Sequence, residues 1–459
     1  MLYLTPDFIC FICFFTALFL LGPNRHMPLL LAGSSTFFFS YIDQVNLIIV
    51  PVQVLVAYLF SLRICRRDNR AKLLLALAII FNLLVLSFYK YFPNSHFGQN
   101  FNNRSIPLGI SFYTFQIIAY LIDSYRTKSC EREFIIFYSF ISFFPQLIAG
   151  PICRPKHLIP QLRRINNTLI PKNIARAITL ISTGAFLKAC LSDNITKVLF
   201  AQNKIMELPL EYTVVDTWIA TILLGARLYG DFLGYSLMSI GIARFFNVRL
   251  PSNFNAPYLS CSIQEFWRRW HITLSSWLRD YLYVPLGGSR GSTGNTARNI
   301  LITMVIGGAW HGSTLSFALW GGYHGILIVT HHVMTKHRET PTVHTARTGI
   351  NWLITYILVN IGWVIFTLSD IRILVDFFGV FFAMTVDLEI STNLNNLNLV
   401  LVCSLLFTSI LSYEFFHQKL WFSRKVRSSL GQILIFLITS SCIMLFGADM
   451  TNEFIYFKF

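Results

Sequence analysis

Runs of apolar residues long enough to cross a lipid bilayer recur along the chain and are separated by short polar loops. A helix needs about 20 mostly apolar residues to span the hydrocarbon core. These runs are continuous, whereas the strands of a membrane barrel alternate between apolar and polar positions. Spans are predicted at residues 7–22, 28–41, 45–62, 73–89, 106–122, 177–200, 212–229, 313–333, 350–368, 371–386, 398–413 and 431–447. The pattern predicts an all-α polytopic membrane protein, a single membrane domain over residues 1–459 with about 11–12 transmembrane helices.

The apolar run at residues 140–167 departs from the pattern of a simple span. Pro145, Gly150, Pro151 and Pro155 would break a long helix here, and basic loops flank the run on both sides. Irregular backbone at membrane depth is tolerated only where it is buried in protein or lines a wet cavity. We therefore predict a re-entrant segment.

The segment from Ser262 to Gly288 combines an apolar stripe with several charges. At helical spacing the stripe contains Ile263, Trp267, Trp270, Leu274, Leu278 and Tyr281. Arg268, Arg269 and Arg279 lie mostly off this stripe, and each would cost about 2.5–3.5 kcal/mol if it faced lipid. We predict one continuous helix that lies at the membrane interface or inside the helix bundle.

Composition supports the membrane class. Hydrophobic residues make up 54% of the chain and charged residues 13%, and the mean hydropathy is +0.56. Ordinary globular domains carry about 25% charged residues, so this chain cannot cover itself with a polar surface. No Lys or Arg precedes the first apolar run, which favours a retained helix over a cleaved signal peptide. The nine cysteines lie mostly inside apolar runs and are expected to fill space there, with no metal site predicted from their spacing.

The net charge of +16 would indicate a nucleic-acid partner in a soluble protein, but here the basic residues cluster in short loops. Loops 63–72, 337–347 and 417–427 are rich in Lys and Arg and are predicted to face the cytoplasm. Loop 387–398 contains two acidic residues without a basic one and is predicted to lie on the opposite side. This topology predicts that the C-terminal tail lies outside the cytoplasm. The clustering of basic residues in short loops predicts a protein that lies in a membrane and has no nucleic-acid partner.

Three histidines in apolar surroundings are the candidates for chemistry. His271 lies in the apolar stripe, where burial disfavours the charged form and leaves a neutral ring that can accept a proton; the alternative is a structural histidine bonded to a carbonyl. His311 follows Gly307 and Gly308, small residues that let membrane helices approach closely, and intramembrane ionisable groups are functional candidates. His324 lies about 20 Å further along a continuous helix and is predicted to be structural.

Several blocks resemble the membrane-bound O-acyltransferase family, in the bacterial branch typified by the alginate O-acetylase membrane subunit. FWRRWHITLSSWLRDYLYVPLGG at 266–288 is followed by GGAWHG at 307–312 and LWGGYHG at 319–325. Further matching blocks are IPLGISFYTFQIIAYLIDSYR, FFPQLIAGP, DFLGYS, LPSNFNAPYLS and GWVIF. The core motifs extend over residues 106–366, and the C-terminal helix and aromatic tail at 431–459 match as well, so the resemblance is long and specific.

The resemblance implies a curved ring of helices around a thin centre that a central tunnel crosses. His311 corresponds to the essential histidine of the family, and His271 matches a second family histidine in the tunnel. Trp310, next to His311 in the same block, is expected to contact substrate. The resemblance thus gives His311, His271 and the C-terminal Tyr456 as the predicted catalytic residues, with Trp310 as a substrate-binding residue.

The reaction implied is the transfer of an acyl group, most specifically acetyl, to an exported polysaccharide or cell-wall glycan by an enzyme of the bacterial inner membrane. Acetyl-CoA or an acyl carrier protein is the expected donor, and no tightly bound cofactor is expected. Arg268, Arg269 and Arg279 are predicted to hold phosphate or acidic groups of this donor. An extracytoplasmic esterase-like partner is expected to complete transfer to the glycan.

The last six residues, FIYFKF, resemble a C-terminal ending found in this branch and on a small partner of the D-alanyl transferase branch. In those proteins the tyrosine is proposed to carry the acyl group covalently. By this resemblance Tyr456 is an acyl relay, and His311 is the base that its weakly acidic phenol needs. The alternative is an aromatic anchor at the membrane surface.

Two departures from the acetylase branch keep the acyl group open. Leu237 stands where that branch usually carries Asp, and Leu is found there in the D-alanyl branch; Thr367 stands where acetylase-like members usually carry Arg. One alternative is therefore a D-alanyl transferase that uses an aminoacyl carrier protein. An alternative of another class is a glycan exporter whose histidines line a conduit, although the lack of internal repeats disfavours the common transporter folds.

Overall fold

The computed structural model describes residues 3, 5–66, 69–92, 106–147, 150–166, 168, 171–202, 204–335, 345–383, 407–408 and 429–448. Every regular element in these ranges is a helix, which confirms the predicted all-α class. Three of the described helices, Ala71–Lys90, Asn173–Phe200 and Thr348–Thr367, are long and apolar enough to cross a bilayer, and shorter apolar helices accompany them. The total number of transmembrane helices and the ring around a tunnel stay predictions.

The described α-helices follow one another with short connections. They are α1 (Pro6–Leu21), α2 (Met27–Ile42), α3 (Ile49–Ile64), α4 (Ala71–Lys90), α5 (Ile110–Thr127), α6 (Phe134–Ser142), α7 (Phe144–Leu147), α8 (Pro155–Arg163), α9 (Pro171–Phe186), α10 (Asp193–Thr196), α11 (Val214–Phe245), α12 (Ile263–Arg269), α13 (Ile272–Leu278), α14 (Thr293–His311), α15 (Leu315–Thr335), α16 (Thr345–Thr367), α17 (Ile371–Phe381) and α18 (Ser429–Phe446). Wider π-helical turns at Leu187–Ser192 and Lys197–Gln202 flank α10.

The chain forms two compact units. The N-terminal unit consists of Leu2–Ile181 and Ser236–Ser252, and the C-terminal unit consists of Ser182–Tyr235 and Asn253–Phe459. Both α9 and α11 contribute residues to each unit. The single membrane domain expected from the sequence stays a prediction.

A buried polar network joins α3, α4 and α5 in the N-terminal unit. The Gln53 amide donates to Asn82 Oδ1 at 3.3 Å and accepts from the Tyr113 hydroxyl at 3.0 Å. Asn82 also donates to the carbonyl of Ala78 at 2.8 Å. Because a buried amide that lost its partner would cost about 1–3 kcal/mol, this network fixes how the three helices face one another.

The segment at residues 140–167 is broken, as its prolines predict. Helix α6 ends at Ser142, α7 is a single turn, and α8 begins at Pro155. The carbonyl of Pro145 accepts hydrogen bonds from the Ser239 hydroxyl at 2.5 Å and from the Tyr3 hydroxyl at 3.0 Å. Side chains thus satisfy irregular backbone inside the N-terminal unit, which is the condition for tolerating it. A re-entrant path through the membrane stays a prediction.

An ion-pair cluster lies in the interior of the C-terminal unit. Lys188 Nζ is 2.7 Å from Asp193 Oδ1 and 2.8 Å from Asp231 Oδ1, and the three side chains are 0–3% exposed. Lys188 and Asp193 are five residues apart, the spacing of a π-helical turn, and Lys188 lies in the π-helical segment. The widened turn therefore lets both residues face Asp231 on α11.

Helices α14 and α15 pack as a close hairpin in the C-terminal unit. A β-carbon added to Gly308 would lie 3.0 Å from the Cα of Gly321 and would overlap the carbonyl of Phe317. This confirms that small residues here permit close helix approach. Helix α14 itself is absent from the predicted spans, because polar residues such as Arg298 and Asn299 interrupt its apolar run.

We expect Gly308→Ala to destabilise the protein by about 1–3 kcal/mol, since the added methyl group overpacks the α14–α15 contact. Gly322→Ala is the matched control on the same hairpin: its β-carbon would meet nothing closer than Val305 Cγ2 at 3.9 Å. Thermal unfolding in detergent micelles measures both. Equal melting temperatures for the two variants would contradict the close contact.

Candidate active site

The helix predicted from Ile263 to Tyr281 is wrong, because the chain breaks at Trp270–His271. Helix α12 ends at Arg269 and α13 begins at Ile272, while His271 adopts a left-handed conformation with φ 40° and ψ 53°. The loop at Asn253 supplies the competing bonds. Its carbonyl accepts from the Ile272 N–H at 2.8 Å, and its side chain accepts from the Thr273 hydroxyl at 2.6 Å.

His271 is held in the interior by this break. It is 1% exposed, and its ring centroid lies 4.7 Å from that of Phe232 and 6.4 Å from that of Trp310. Neither ring nitrogen has a hydrogen-bond partner among the described residues. Burial lowers the pKa of His271, which lies outside the predicted spans, from its ordinary 6.5 to about 3. The imidazole is therefore neutral at physiological pH.

His311 is the last residue of α14 and is 4% exposed. Its ring centroid lies 4.9 Å from Trp310, 5.2 Å from Trp320 and 5.4 Å from Phe366. Trp310 thus contacts both His311 and His271. The structure therefore brings together His271, Trp310 and His311, the residues that the sequence analysis grouped, although their chemical roles stay predictions.

His324 joins the same group, against the expectation that it lies about 20 Å away on a continuous helix. The chain turns at Gly312, so α15 runs back along α14. Trp320, one turn before His324, has its ring centroid 5.2 Å from His311 and 5.1 Å from His324. A glycine directly after an apolar helix is a helix-stop signal, so Gly312 is the feature of the sequence that could have predicted this turn. We call His271, Trp310, His311, Trp320 and His324 the histidine cluster.

The three arginines predicted to bind substrate occupy different settings. Arg268 is exposed, Arg269 pairs with Glu265 at 2.6 Å, and Arg279 pairs with Asp280 at 2.8 Å. The Arg279–Asp280 pair is exposed, whereas the Arg269–Glu265 pair is half-buried, and an exposed ion pair contributes little stability. The predicted role of the arginines in holding the donor stays a prediction.

Tyr456 lies outside the described residues, so its predicted contact with the histidines stays a prediction. The helix before it, α18, docks on the stretch that follows α9 within the C-terminal unit. Asn194 donates to the carbonyl of Phe446 at 2.8 Å, and the Ala448 N–H donates to the carbonyl of Ala189 at 3.1 Å. The last described residue of the chain is therefore anchored beside α10.

Comparison with known proteins gives this arrangement a context. The model of the membrane-bound O-acyltransferase family matches residues 8–369, a range that contains the whole histidine cluster. Most of the chain is thus covered by one family description.

Individual relatives agree with this match. A protein of Azotobacter vinelandii named probable alginate O-acetylase AlgI is 35% identical over 79% of this chain and 74% of its own length. A peptidoglycan O-acetyltransferase of Helicobacter pylori is 35% identical over 74% of this chain and 70% of its own length. A teichoic acid D-alanyltransferase of Streptococcus thermophilus is 27% identical over 65% of this chain and 73% of its own length.

Proposed function

Because the chain belongs to the membrane-bound O-acyltransferase family, we propose that it moves an acetyl group from a cytoplasmic thioester to hydroxyl groups of an exported polysaccharide or cell-wall glycan. The family is one of enzymes, so the exporter alternative is not retained. Identity is 35% to the relatives named for O-acetylation and 27% to the one named for D-alanylation, which favours acetyl. The proposed location is the bacterial inner membrane, where a cytoplasmic donor and an exported acceptor can both be reached.

The observation that carries this proposal is the pair of buried histidines that both contact Trp310. A hydroxyl is a weak nucleophile and needs a base to attack a thioester. A positioned histidine is the commonest general base, and His311 is assigned that role. His271, buried beside Trp310, is assigned to orient the reacting groups.

The proposed reaction forms one ester and breaks one thioester. The acceptor oxygen bonds to the carbonyl carbon while its proton passes to His311. The carbon–sulfur bond then breaks, and His311 returns the proton to the departing thiolate. In the relay version the first acceptor is the phenol of Tyr456, and an extracytoplasmic esterase-like partner passes the acyl group from tyrosine to a glycan hydroxyl.

The donor is proposed to be acetyl-CoA or an acyl carrier protein, which enters as a co-substrate. Both donors carry a phosphopantetheine arm, and CoA adds further phosphates. Guanidinium groups bind phosphate with paired donors, so Arg268, Arg269 and Arg279 are assigned to the donor. An anion bound at Arg269 or Arg279 would either displace the carboxylate that now pairs with the guanidinium or bind the same guanidinium beside that carboxylate.

The acyl group and the acceptor are tested by expressing the chain in a bacterial host that lacks its own glycan O-acylation. Ester-linked acids are released from surface glycans with mild alkali and identified by mass, with an empty vector as the control. Acetate that depends on the chain supports the proposal. Alanine would reassign the enzyme as a D-alanyl transferase, and the absence of any ester despite membrane insertion would overturn the proposed function.

We expect Tyr456→Phe to abolish a covalent acyl-enzyme, because phenylalanine has no hydroxyl to acylate. Membranes are incubated with a radiolabelled acetyl thioester donor, denatured, and the label on the protein is counted. Tyr41→Phe, at an exposed tyrosine of α2, should retain the label. A labelled Tyr456→Phe protein would show that another residue carries the acyl group. A wild type that makes glycan esters without becoming labelled would show that the acyl group passes directly to the glycan.

A further inference from the structure

His324 is a buried polar group that the proposed reaction does not use. Its side chain is 0% exposed, and neither Nδ1 nor Nε2 has a hydrogen-bond partner among the described residues. A buried polar group without a partner costs about 1–3 kcal/mol, and in native proteins such a group calls for an explanation, such as a catalytic role or an unseen ligand. Simple packing would be better served by an apolar ring.

Donor groups surround this histidine. Ring centroids of Trp267, Trp320 and Trp363 lie 5.2, 5.1 and 6.3 Å from that of His324. The Nε1–H groups of Trp267 and Trp320 are buried and have no acceptor among the described residues, whereas Trp363 interacts with the Tyr258 hydroxyl. An indole nitrogen only donates, and a neutral imidazole has one N–H donor. The site is therefore rich in neutral donors, which suits an oxygen that accepts hydrogen bonds.

The donors lie next to the proposed base. The Trp320 ring contacts both His311 and His324, with centroid distances of 5.2 and 5.1 Å. Trp320 and His324 are four residues apart on α15 and so lie on one face of the helix. An acyl group held for attack beside His311 would bring its carbonyl oxygen to this face.

The backbone of α16 leaves room for the His324 ring. Gly362 lies beside it, and a β-carbon at that position would be 2.6 Å from His324 Nε2. A distance this short cannot be accommodated without moving the imidazole. Glycine at 362 therefore leaves the space beside α16 that the Nε2 edge of the imidazole occupies.

We propose that His324 and the indole N–H of Trp320 hydrogen-bond the carbonyl oxygen of the acyl thioester and stabilise the oxyanion that forms during attack. The inference rests on the proposed function. When the acceptor oxygen bonds to the carbonyl carbon, the electron pair of the C=O bond moves onto this oxygen, and the acceptor proton goes to His311. Collapse of the intermediate restores the C=O bond and expels the thiolate, which takes the proton back.

The kinetic test uses the purified full-length enzyme in micelles with an acetyl thioester donor that the wild type turns over. His324→Phe keeps a flat ring but removes both nitrogens, and we expect kcat to fall about 10²–10³-fold. KM should change much less than kcat, because these hydrogen bonds strengthen as the carbonyl oxygen becomes an oxyanion. His324→Gln retains an N–H donor and should recover part of the loss. His332→Phe, on the same helix, is the control and should remain close to wild type.

A spectroscopic readout separates binding of the carbonyl from a structural role. Donor carrying a ¹³C label at the acetyl carbonyl is bound to the His311→Ala enzyme, which should not turn it over, and its C=O stretch is measured by isotope-edited infrared spectroscopy. Hydrogen bonds lower this frequency, so adding His324→Phe should raise it. An unchanged frequency together with normal kcat in His324→Phe would overturn the proposal for His324 alone.

Two further outcomes are distinguishable. If the wild type transfers no acyl group from any thioester, the proposed function fails and this inference fails with it. If His324→Phe does not fold, Gly362→Ala replaces it, because the added methyl group displaces the imidazole without removing it. A folded Gly362→Ala enzyme with wild-type kcat would then contradict the role of His324.

Discussion

Replacing His311 with alanine is expected to lower acyl transfer by about 10²–10⁴-fold, the usual contribution of a general base. The side chain is 4% exposed and sits between the rings of Trp310, Trp320 and Phe366. Alanine would leave no group in this position to accept the hydroxyl proton. The measurement is ester-linked acyl groups per unit of surface glycan, in cells that contain wild type or variant at equal membrane levels.

The control for this prediction is His332→Ala, which changes a histidine of α15 outside the histidine cluster. Its ester content should match that of the wild type. Melting temperatures of both variants in micelles guard against a loss that comes only from misfolding. Normal esters per glycan in His311→Ala, with less glycan exported, would contradict the catalytic assignment and support transport instead.

Replacing Lys188 with alanine is expected to destabilise the C-terminal unit by about 3–5 kcal/mol, the typical cost of removing one partner of a buried ion pair. Asp193 and Asp231 would then remain buried at 0% and 3% exposure without the ammonium group that pairs with both. Of Lys188 and Arg227, which both offset the mutual repulsion of these carboxylates, only Arg227 would remain. The measurement is the apparent melting temperature in micelles together with the amount of protein recovered from membranes.

Two comparisons sharpen this test. Lys72→Ala, at an exposed lysine of α4, should change stability by less than about 0.5 kcal/mol. A variant with Lys188→Met, Asp193→Leu, Asp231→Leu and Arg227→Leu should recover much of the loss, since the Arg227 guanidinium interacts with both carboxylates and apolar replacement of a whole buried cluster is often neutral. A Lys188→Ala protein as stable as Lys72→Ala would show that the cluster does not hold the unit together.

Features decided by local chemistry could be predicted from the sequence. The prolines at 145 and 155 break the helix between α6 and α8 because they lack an N–H and clash with the preceding turn. Gly308 permits the close approach of α14 and α15 because it lacks a β-carbon. The apolar surroundings of His271 and His311 likewise predict two buried histidines, and both are buried.

Features that depend on partners far along the chain could not be predicted from the sequence. The spacing from Ile263 to Tyr281 fits one helix, and nothing local reveals that Asn253 competes for the backbone at Ile272. The hairpin turn at Gly312 brings Trp320, one helical turn before His324, back beside His311, whereas one unbroken helix would place this pair farther along its axis. In both cases the missing information was which segment packs against the helix.

The buried ion-pair cluster of the C-terminal unit shows the same division between what local sequence determines and what distant partners determine. Lys188 and Asp193 stand inside the predicted span 177–200, where charges are costly without a partner, but the sequence analysis did not single them out. The sequence alone determined an all-α membrane protein, through apolar runs whose length and continuity are local properties. Only the tertiary structure decided that Asp231 on α11 pairs with Lys188 and that Trp310 and Trp320 link His311 to His271 and to His324. Such contacts depend on how helices dock, and docking depends on surfaces formed by residues that are distant in the chain.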